Sequence, residues 1–438
     1  LNLNGMSQSS DAALRKVMSD DAAGDGETIS AVVHLSRAEI YSANRLFPQA
    51  RKHWQIVFEN FPSDPAIPKA LFGTARSFMW ERNYAEAARW FNRLATEFPE
   101  TKDGREGLAY KGASLVRLGD DMAAAKVYEQ YVAMFPAGER IESAHLNIID
   151  AYREAGKFKE AEAWTERTIR RFQGKPTEVN ALHSLLRMEI YRENWGEAIA
   201  AADRLLSGKS FASSMAGSDE VKYLRAFALE RTGKRSEALS AYSGIPVSLP
   251  SYYSYLATQK AGGTWVKRTG GTATKYYADY PVMYRAELLK YATPKKIDPR
   301  FVLAIMKQES SFRAAAKSPA GARGLLQLVY DTAIKYNKKA GFAQMQPDDL
   351  YSPAVNIAVG SEYIRELKAE FGDMYEAIAA SYNGGEDNVA RWMHRSRPKE
   401  PGIFVSEIGF AESKNYVYKV MSNYRMYQEL YTENLERR

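Results

Sequence analysis

Carboxyl and polar aromatic side chains near the C-terminus are the residues best suited to acid–base chemistry. The 438-residue sequence has no cysteine, which excludes thiol nucleophiles and thiolate metal sites. It has five scattered histidines, which do not favour a Ser-His-Asp triad. A helix predicted over about 299–311 puts Glu309 on the same apolar face as Val302 and Ile305. Burial and the C-terminal end of a helix dipole both raise a carboxyl pKa. We therefore expect Glu309 to stay protonated near neutral pH and to donate that proton to a leaving oxygen.

Two other interpretations of Glu309 remain open from the residues alone, because the side chain could point to solvent or pair with Arg313. The next segment, KSPAGARGLLQL (317–328), favours a site. Its glycines allow backbone to approach a ligand closely, and Ser318 and Gln327 offer hydrogen bonds. A second cluster, SYNGG (381–385), places Tyr382 and Asn383 where another helix is predicted to end. These polar residues would be unusual in a core.

Helix-start and helix-stop signals predict the elements that carry these motifs. Asp-Pro at 298–299 supplies an N-cap and an N1 proline for the helix of Glu309. Ser-Pro at 352–353 opens a longer helix, and Asp373 is predicted to cap a third one that ends near Gly384. The region from 276 to 438 is therefore predicted to be a compact, mostly helical domain.

The first 245 residues contain a 37-residue repeat. Each repeat ends at a phenylalanine, and an alanine and a bulkier residue usually precede it by eleven and seven positions. Alanine and a bulky residue four positions apart lie on one helix face, which predicts stacked helix pairs with these residues in the core. The phenylalanines are Phe61, Phe98, Phe135 and Phe172, the alanines Ala50, Ala87, Ala124 and Ala161, and the residues between them Trp54, Phe91, Tyr128 and Thr165. The pattern resembles tetratricopeptide repeats, which would present a long surface to a protein partner or a polymer.

These patterns predict four segments in a mainly all-α protein. Residues 1–27 form a flexible N-terminal segment, 28–245 a tetratricopeptide-like α-superhelix, 246–275 a linker, and 276–438 the compact helical domain. The linker contains Tyr252, Tyr253 and Tyr255, which could stack on sugars but are better explained by packing between domains.

Composition and charge exclude several classes of protein. With 45% hydrophobic and 26% charged residues, the chain is neither disordered nor collagen-like. The net charge of +7 is spread along the chain, so it does not indicate a nucleic-acid partner and equally suits a polymer that carries carboxylates. No apolar run approaches the ~18 residues of a membrane-spanning helix. The polar start at Leu1 is what we expect of an exported chain whose leader is absent.

Several motifs in the C-terminal region together resemble the catalytic domain of soluble lytic transglycosylases, bacterial peptidoglycan-cleaving enzymes with a goose-type lysozyme fold. They are QES followed by PAGARGLLQL, LYSPAVNIAVGSEYI (350–364), SYNGGEDNVARW (381–392) and FAESKNYV (410–417). The resemblance implies Glu309 as the single catalytic acid and base, with substrate contacts by the remaining motif positions. Those positions are Ser310, Ser318 in a loop, Gln327 in a helix, Tyr382, Asn383, Glu412 and Tyr416.

The same resemblance implies a mechanism and a location. Glu309 would protonate the oxygen between N-acetylmuramic acid and N-acetylglucosamine and then deprotonate the C6 hydroxyl, which closes a 1,6-anhydro ring. Tyr382 would orient Glu309 or hold the acetamido group, Asn383 and Gln327 would position the sugars, and Glu412 would bind or polarise them. No metal and no organic cofactor is needed. Peptidoglycan as the substrate implies a periplasmic protein of the bacterial cell envelope.

Two rival functions stay open. A hydrolytic muramidase of the same fold would need a second carboxylate to activate water, and Asp331 and Glu412 are candidates. A non-enzymatic envelope assembly protein would use its repeats as a scaffold and the second domain only to bind glycan. Ser413 and Lys414 stand where the family pattern has Thr and Arg. Val329-Tyr330 also departs from that pattern, and this difference bears on substrate subsites rather than on the acid.

Overall fold

The protein is built from helices. A computed structural model describes residues 8, 10–24, 29–247, 251–263 and 276–438. It is 70% helical, with 22 helices and no β-strand among those residues, which confirms the predicted fold class. Residues 1–7, 9 and 25–27 of the predicted N-terminal segment lie outside the described residues, as do residues 248–250 and 264–275 of the predicted linker. The predicted domain boundaries remain predictions.

Fourteen helices lie in the described part of the chain before residue 264. They are α1 (Asp11–Ala22), α2 (Ala31–Ala43), α3 (Phe47–Asn60), α4 (Ile67–Trp80), α5 (Tyr84–Glu97), α6 (Lys102–Leu118), α7 (Asp121–Met134), α8 (Ile141–Glu154), α9 (Phe158–Arg171), α10 (Pro176–Tyr191), α11 (Trp195–Leu206), α12 (Ser218–Arg231), α13 (Arg235–Ser243) and α14 (Tyr252–Lys260).

Eight helices follow residue 275. They are α15 (Arg285–Tyr291), α16 (Pro299–Ser310), α17 (Tyr330–Tyr336), α18 (Pro353–Phe371), α19 (Tyr375–Gly384), α20 (Glu386–Arg395), α21 (Pro401–Glu407) and α22 (Ala411–Leu430). Two 3₁₀ turns, Thr293–Lys295 and Pro347–Tyr351, lie among them. The predicted N-cap of the third of the predicted C-terminal helices, Asp373, needs a correction. The N-cap of α19 is Met374 rather than Asp373, and its side chain makes no capping bond.

The chain divides into two compact units. The first comprises Leu1–Trp164 with two short later segments, Lys317–Ala322 and Val329–Asp331. The second comprises Thr165–Ala316, Arg323–Leu328 and Thr332–Arg438.

Within the first unit, the short later segments are bound by charged contacts. The Arg45 guanidinium donates two hydrogen bonds of 2.8 Å to the two carboxylate oxygens of Asp331. Lys317 Nζ donates to Asp11 Oδ1 at 2.6 Å.

The repeat residues occupy the helix-pair core as predicted. The four repeat alanines are fully buried, and so are the aromatic residues four positions later, from Trp54 to Tyr128. Two of these rings pack on a glycine of a neighbouring helix. Trp54 lies against Gly73 of α4 and Tyr128 against Gly112 of α6, where a Cβ atom would overlap the ring. Phe61, Phe98 and Phe135 follow directly on the last residues of α3, α5 and α7.

The tyrosines at the start of α14 are packing residues of the second unit. Tyr252 and Tyr253 are each 2% exposed, so they cannot form a sugar-stacking surface. Their hydroxyls donate to Glu376 Oε1 at 2.9 Å and to the Gly402 carbonyl at 3.0 Å. Arg425 of α22 stacks its guanidinium on Tyr255, 3.6 Å from the ring centre. The packing interpretation is therefore confirmed inside this unit.

Candidate active site

Glu309 lies in the last turn of α16. Asp298 caps the helix through its side chain, which accepts a 2.9 Å hydrogen bond from the Arg300 amide, and Pro299 is the first helical residue. The apolar side chains from Phe301 to Met306 are fully buried, as the predicted stripe requires. Apolar burial therefore anchors the helix, and Glu309 extends from its end.

The chain leaves α16 through two consecutive left-handed residues. Ser311 has φ 49° and Phe312 has φ 64°, although neither is a glycine. Such conformations cost about 1 kcal/mol or more each and persist only where the surroundings enforce them. The helix end next to Glu309 is therefore a strained and sharply defined position.

Among the described residues, the Glu309 carboxyl has one hydrogen-bonding partner, the hydroxyl of Tyr416. This hydroxyl of α22 donates to Glu309 Oε1 at 2.7 Å. Burial raises the pKa of Glu309 to about 7, and the bond from Tyr416 limits that rise because it stabilises the carboxylate. At neutral pH, both protonation states are thus populated, as a group that must first give and then take a proton requires.

The alternative pairing of Glu309 with Arg313 is wrong. Arg313 Nε donates to the Ser310 carbonyl at 3.1 Å instead. Glu309 is partly buried, so it does not extend freely into solvent either. The predicted raised pKa is confirmed, and burial is its main cause.

A turn at 323–328 lies beside the end of α16. An isolated antiparallel bridge joins Arg323 and Leu328 across it. Ser310 is 2% exposed, and its hydroxyl donates to the Leu325 carbonyl at 2.8 Å. The Ser310 hydroxyl is thus enclosed and holds this turn against the helix that carries Glu309. The contact of Ser310 with substrate remains a prediction.

Gln327 lies in the same turn rather than in a helix, which corrects the family-based expectation. Its φ is 47°, and α17 begins only at Tyr330. The side-chain amide donates to the carbonyls of Ala316 at 3.0 Å and Gly324 at 2.8 Å. These bonds fix its orientation, and the amide oxygen is the atom left to meet a sugar. Its role in substrate binding remains a prediction.

Asn356, which sequence reasoning missed, builds this turn together with Gly324. Asn356 of α18 is fully buried and accepts from the Leu326 amide at 2.8 Å. Its amide group donates to the carbonyls of Arg323 and Leu350, at 3.0 and 2.8 Å. Gly324 has φ 79°, and a Cβ atom there would overlap Asn356 and the Leu350 carbonyl. Asn356 lies inside the motif LYSPAVNIAVGSEYI, which drew attention to this segment. The motif alone could not show that Asn356 holds the turn at 323–328.

Tyrosine rings form a wall near Glu309. The Tyr382 hydroxyl donates to the Leu326 carbonyl at 2.8 Å, so this tyrosine braces the turn, whereas Tyr416 is the one that orients the acid. Tyr363 of α18 lies with its ring centre 5.4 Å from that of Tyr382. Burial, followed by the negative charge of Glu309, raises the pKa of both Tyr382 and Tyr416 well above its usual value. Both hydroxyls therefore remain protonated donors.

Asn383 and Glu412 lie at the exposed edge of this region. Both side chains are exposed, and Ser413 Oγ donates to Asn383 Oδ1 at 2.6 Å. That bond ties the end of α19 to the first turn of α22, which also carries Glu412. Their substrate contacts remain predictions.

Ser318 and Asp331 belong to the other compact unit. The Ser318 hydroxyl accepts a 3.1 Å bond from the Ala322 amide and so closes its own loop. Both carboxylate oxygens of Asp331 are held by Arg45.

Comparison with known protein families gives two matches. Residues 288–404 match the family described as transglycosylase SLT domain, and residues 35–100 and 111–176 match the tetratricopeptide repeat. The first match includes Glu309, Gln327, Tyr382 and Asn383, but not α22.

Curated relatives carry the same kind of domain. The soluble lytic murein transglycosylase of Escherichia coli is 31% identical over 147 residues, which are 33% of this chain and 22% of that protein. Membrane-bound lytic murein transglycosylase C of Yersinia pestis is 32% identical over 162 residues, which are 32% of this chain and 45% of that protein. The matches thus span less than half the length of these relatives.

Solved structures show the same fold over nearly the whole chain. Lytic transglycosylase Slt of Pseudomonas aeruginosa has a TM-score of 0.54 and 16% identity, and covers 94% of this chain and 84% of its own. The 70-kDa soluble lytic transglycosylase of Escherichia coli has a TM-score of 0.54 and 17% identity, with 95% and 84% coverage. No helix in the described part of the chain is long and apolar enough to cross a membrane.

Proposed function

We propose that this chain, which carries an SLT-type transglycosylase domain and tetratricopeptide repeats, is a lytic transglycosylase. It cleaves the β-1,4 bond between N-acetylmuramic acid and N-acetylglucosamine in peptidoglycan and leaves 1,6-anhydro-N-acetylmuramic acid ends. Glu309 is its single general acid and base. The names of the curated relatives support the reaction class, and the surroundings of Glu309 support the mechanism.

The reaction uses one carboxyl group twice. Protonated Glu309 gives its proton to the glycosidic oxygen as the C1–O bond breaks, and the departing sugar leaves with a free hydroxyl. The Tyr416 hydroxyl stabilises the carboxylate that results. That carboxylate then accepts the C6 hydroxyl proton while C6–O bonds to C1. Glu309 regains its proton, so no water is consumed.

The observation that carries the proposal is the position of the Glu309 carboxyl, which is partly buried and accepts a 2.7 Å hydrogen bond from the Tyr416 hydroxyl. Burial raises its pKa to about 7, and the bond from Tyr416 limits that rise. A carboxylate close by would raise this pKa further by its charge, whereas burial and one neutral donor account for it here. The attacking C6 hydroxyl belongs to the substrate and is already close to C1, so its effective molarity replaces a bound water.

A hydrolytic muramidase is the rival that this arrangement favours less. Asp331 is engaged by Arg45 through both oxygens, and Glu412 is an exposed side chain. Neither has the surroundings of a base that activates water. A glycan-binding scaffold without activity would not need a protonated carboxyl beside an ordered tyrosine hydroxyl.

Digestion of purified peptidoglycan with the wild-type protein and the Glu309→Gln variant tests the proposal. Mass spectrometry should find muropeptides one water lighter than the corresponding reducing ends with wild-type protein, and none with the variant. Reducing ends would identify a hydrolase, and no soluble product from the wild type would identify a binding protein.

The substrate also implies a setting. Peptidoglycan lies in the bacterial cell envelope, so we place the protein in the periplasm. The helix-pair array provides a surface for a protein partner or for the glycan itself. The reaction needs neither a metal ion nor an organic cofactor.

A further inference from the structure

A buried ion pair lies on the helix that presents Tyr416. Lys414, two residues earlier on α22, is 2% exposed, and its ammonium donates to Glu220 Oε1 at 2.7 Å. Glu220 belongs to α12 and is 1% exposed. The hydroxyl of Tyr418 donates to its other oxygen at 3.1 Å. One carboxylate of α12 thus binds two residues of α22, and these two flank Tyr416.

Helix geometry makes this pair a rotational anchor. Lys414 and Tyr418 are four residues apart and lie on one face of α22, whereas Tyr416 lies about 200° around the axis from Lys414. A tyrosine hydroxyl lies roughly 8 Å from the helix axis, so a rotation of about 10° moves it by more than roughly 1 Å. Such a displacement would break a 2.7 Å hydrogen bond to Glu309.

Other buried polar and charged side chains surround this ion pair and affect the protonation of Glu220. His183 Nε2 of α10 lies 2.8 Å from the same Glu220 oxygen, and Arg187 and Glu407 pair at 3.0 Å nearby. Burial is the largest single influence and would raise the pKa of Glu220, but the charge of Lys414 and the hydrogen bonds from Lys414 and His183 together lower it to about 2. Burial lowers the pKa of His183 to about 4, so it is neutral. The carboxylate therefore stays ionised at every working pH.

A buried ion pair contributes little net stability compared with apolar residues of similar volume, so specificity of position is its more plausible use. Glu220 lies outside the residues that match either family, 35–100, 111–176 and 288–404, and α22 begins after the last of these ranges ends. Neither the domain nor the repeats as families account for this contact.

We propose that Glu220 is a positioning residue for the reaction: its bonds to Lys414 and Tyr418 fix the rotation of α22 and so hold the Tyr416 hydroxyl on Glu309. The proposal rests on the proposed function for its consequence in catalysis. The contact itself makes the helix-pair region around α12 part of the machinery that sets the acid, rather than only an accessory surface.

The test compares the titration of Glu309 in matched variants. The titratable side chains near Glu309 are Tyr416 from α22 and Tyr382 from α19, and the raised pKa of each keeps both hydroxyls protonated. Loss of the Tyr416 bond removes a group that lowers the pKa of Glu309. Glu220→Gln should therefore raise that pKa by about one pH unit, as should Tyr416→Phe. The double variant Glu220→Gln/Tyr416→Phe should match Tyr416→Phe alone.

Carboxyl ¹³C NMR with labelled glutamate measures this pKa in the resting protein, and Glu309→Gln identifies the signal. The measurement needs no activity, so an inactive wild type would reject the proposed function and leave this test intact. The double variant Glu220→Gln/Lys414→Met removes both charges and leaves neither of them unpaired. It should therefore fold even if Glu220→Gln alone does not, and it should raise the pKa of Glu309 by the same amount. Glu230→Gln, on α12 but paired with Lys260, is the control and should not shift. Either of two results would overturn the proposal. One is an unshifted pKa of Glu309 in Glu220→Gln/Lys414→Met, and the other is a pKa in Glu220→Gln/Tyr416→Phe that is shifted beyond that of Tyr416→Phe alone.

Discussion

The hydroxyl of Tyr416 lies 2.7 Å from Oε1 of Glu309 and donates a hydrogen bond to it, across 107 residues of sequence. This bond and the burial of Glu309 act on the carboxyl pKa in opposite directions, and their balance leaves it at about 7. A carboxyl at this value can donate a proton in one step and accept one in the next. The bond is therefore the contact on which the mechanism depends most.

Removing the Tyr416 hydroxyl should weaken the second half of the reaction. In Tyr416→Phe, the carboxylate of Glu309 loses its donor, so its pKa rises and the alkaline limb of kcat/KM moves to higher pH. The lost charged hydrogen bond corresponds to a roughly 10- to 100-fold fall in kcat at neutral pH. A pH–rate series on solubilised glycan strands measures both effects.

Tyr424→Phe is the matched control, because the Tyr424 hydroxyl also lies on α22 and also donates to a carboxylate, Asp298 Oδ2, at 2.8 Å. It should leave the alkaline limb where it is in the wild type. Equal shifts in both variants would show that general loosening of α22, rather than the bond to Glu309, controls the profile.

The raised pKa of Glu309 also predicts a cost in stability. The folded protein holds this proton up to about pH 7, whereas an unfolded chain releases it near 4.5. Its stabilising contribution is therefore complete below about pH 4.5 and lost as the pH rises through 7, a change of up to about 3 kcal/mol. Glu309→Gln should then unfold at a higher temperature than wild type at pH 8.

Calorimetry at pH 8 and at pH 4.5 checks this prediction, and the difference between the two proteins should shrink at the lower pH. The variant Glu412→Gln, which changes an exposed side chain, should unfold at the same temperature as the wild type at both pH values. A stability difference that is the same at both pH values would contradict a raised pKa in the folded state.

Gly324 should be indispensable to the turn beside the acid. In Gly324→Ala, the new Cβ would meet the Leu350 carbonyl and Asn356 as well as a φ of 79°. We expect a loss of roughly 3 kcal/mol or more in unfolding free energy and a loss of cleavage. Gly341→Ala has a similar φ of 92° but meets no described atom within 4 Å, so it should cost about 1 kcal/mol. Urea unfolding measures the difference, and equal costs would remove the steric argument.

The two carboxylates that a hydrolase could use should be dispensable for bond cleavage. Asp331→Asn loses only a partly exposed ion pair with Arg45, so kcat should change less than about twofold. Glu412→Gln should raise KM while kcat stays close to wild type, because Glu412 is proposed to bind sugar. Initial rates over a range of substrate concentrations separate the two parameters. A fall in kcat of a hundredfold or more in either variant would support a second catalytic carboxylate.

The sequence predicted those parts of the fold that local patterns determine. The 37-residue period identified the core residues of the repeats, and Asp298-Pro299 with an apolar stripe located α16 and Glu309. These features depend on residues a few positions apart. Tyr382 was predicted to orient Glu309 or to hold the acetamido group, but the hydrogen bond to Glu309 comes from Tyr416. Both tyrosines stand in motifs of the C-terminal region, and only packing decides which hydroxyl reaches Glu309.

Contacts between distant segments could not be predicted. Glu220 and Lys414 are 194 residues apart, and each alone looks like a surface charge. The helical position expected for Gln327 was wrong because Asn356 and Gly324 close a turn there, and Ser310 proved to be enclosed by that turn. Such outcomes depend on which helix packs on which, and no local pattern records that.

Digestion of peptidoglycan in ¹⁸O-labelled water tests the central claim most directly. A hydrolase transfers an oxygen atom from water to each new end, whereas intramolecular attack by the C6 hydroxyl does not. We predict muropeptides that carry 1,6-anhydro ends without ¹⁸O from the wild-type protein, and no such products from Glu309→Gln. Reducing ends that contain ¹⁸O in the wild-type digest would contradict the mechanism.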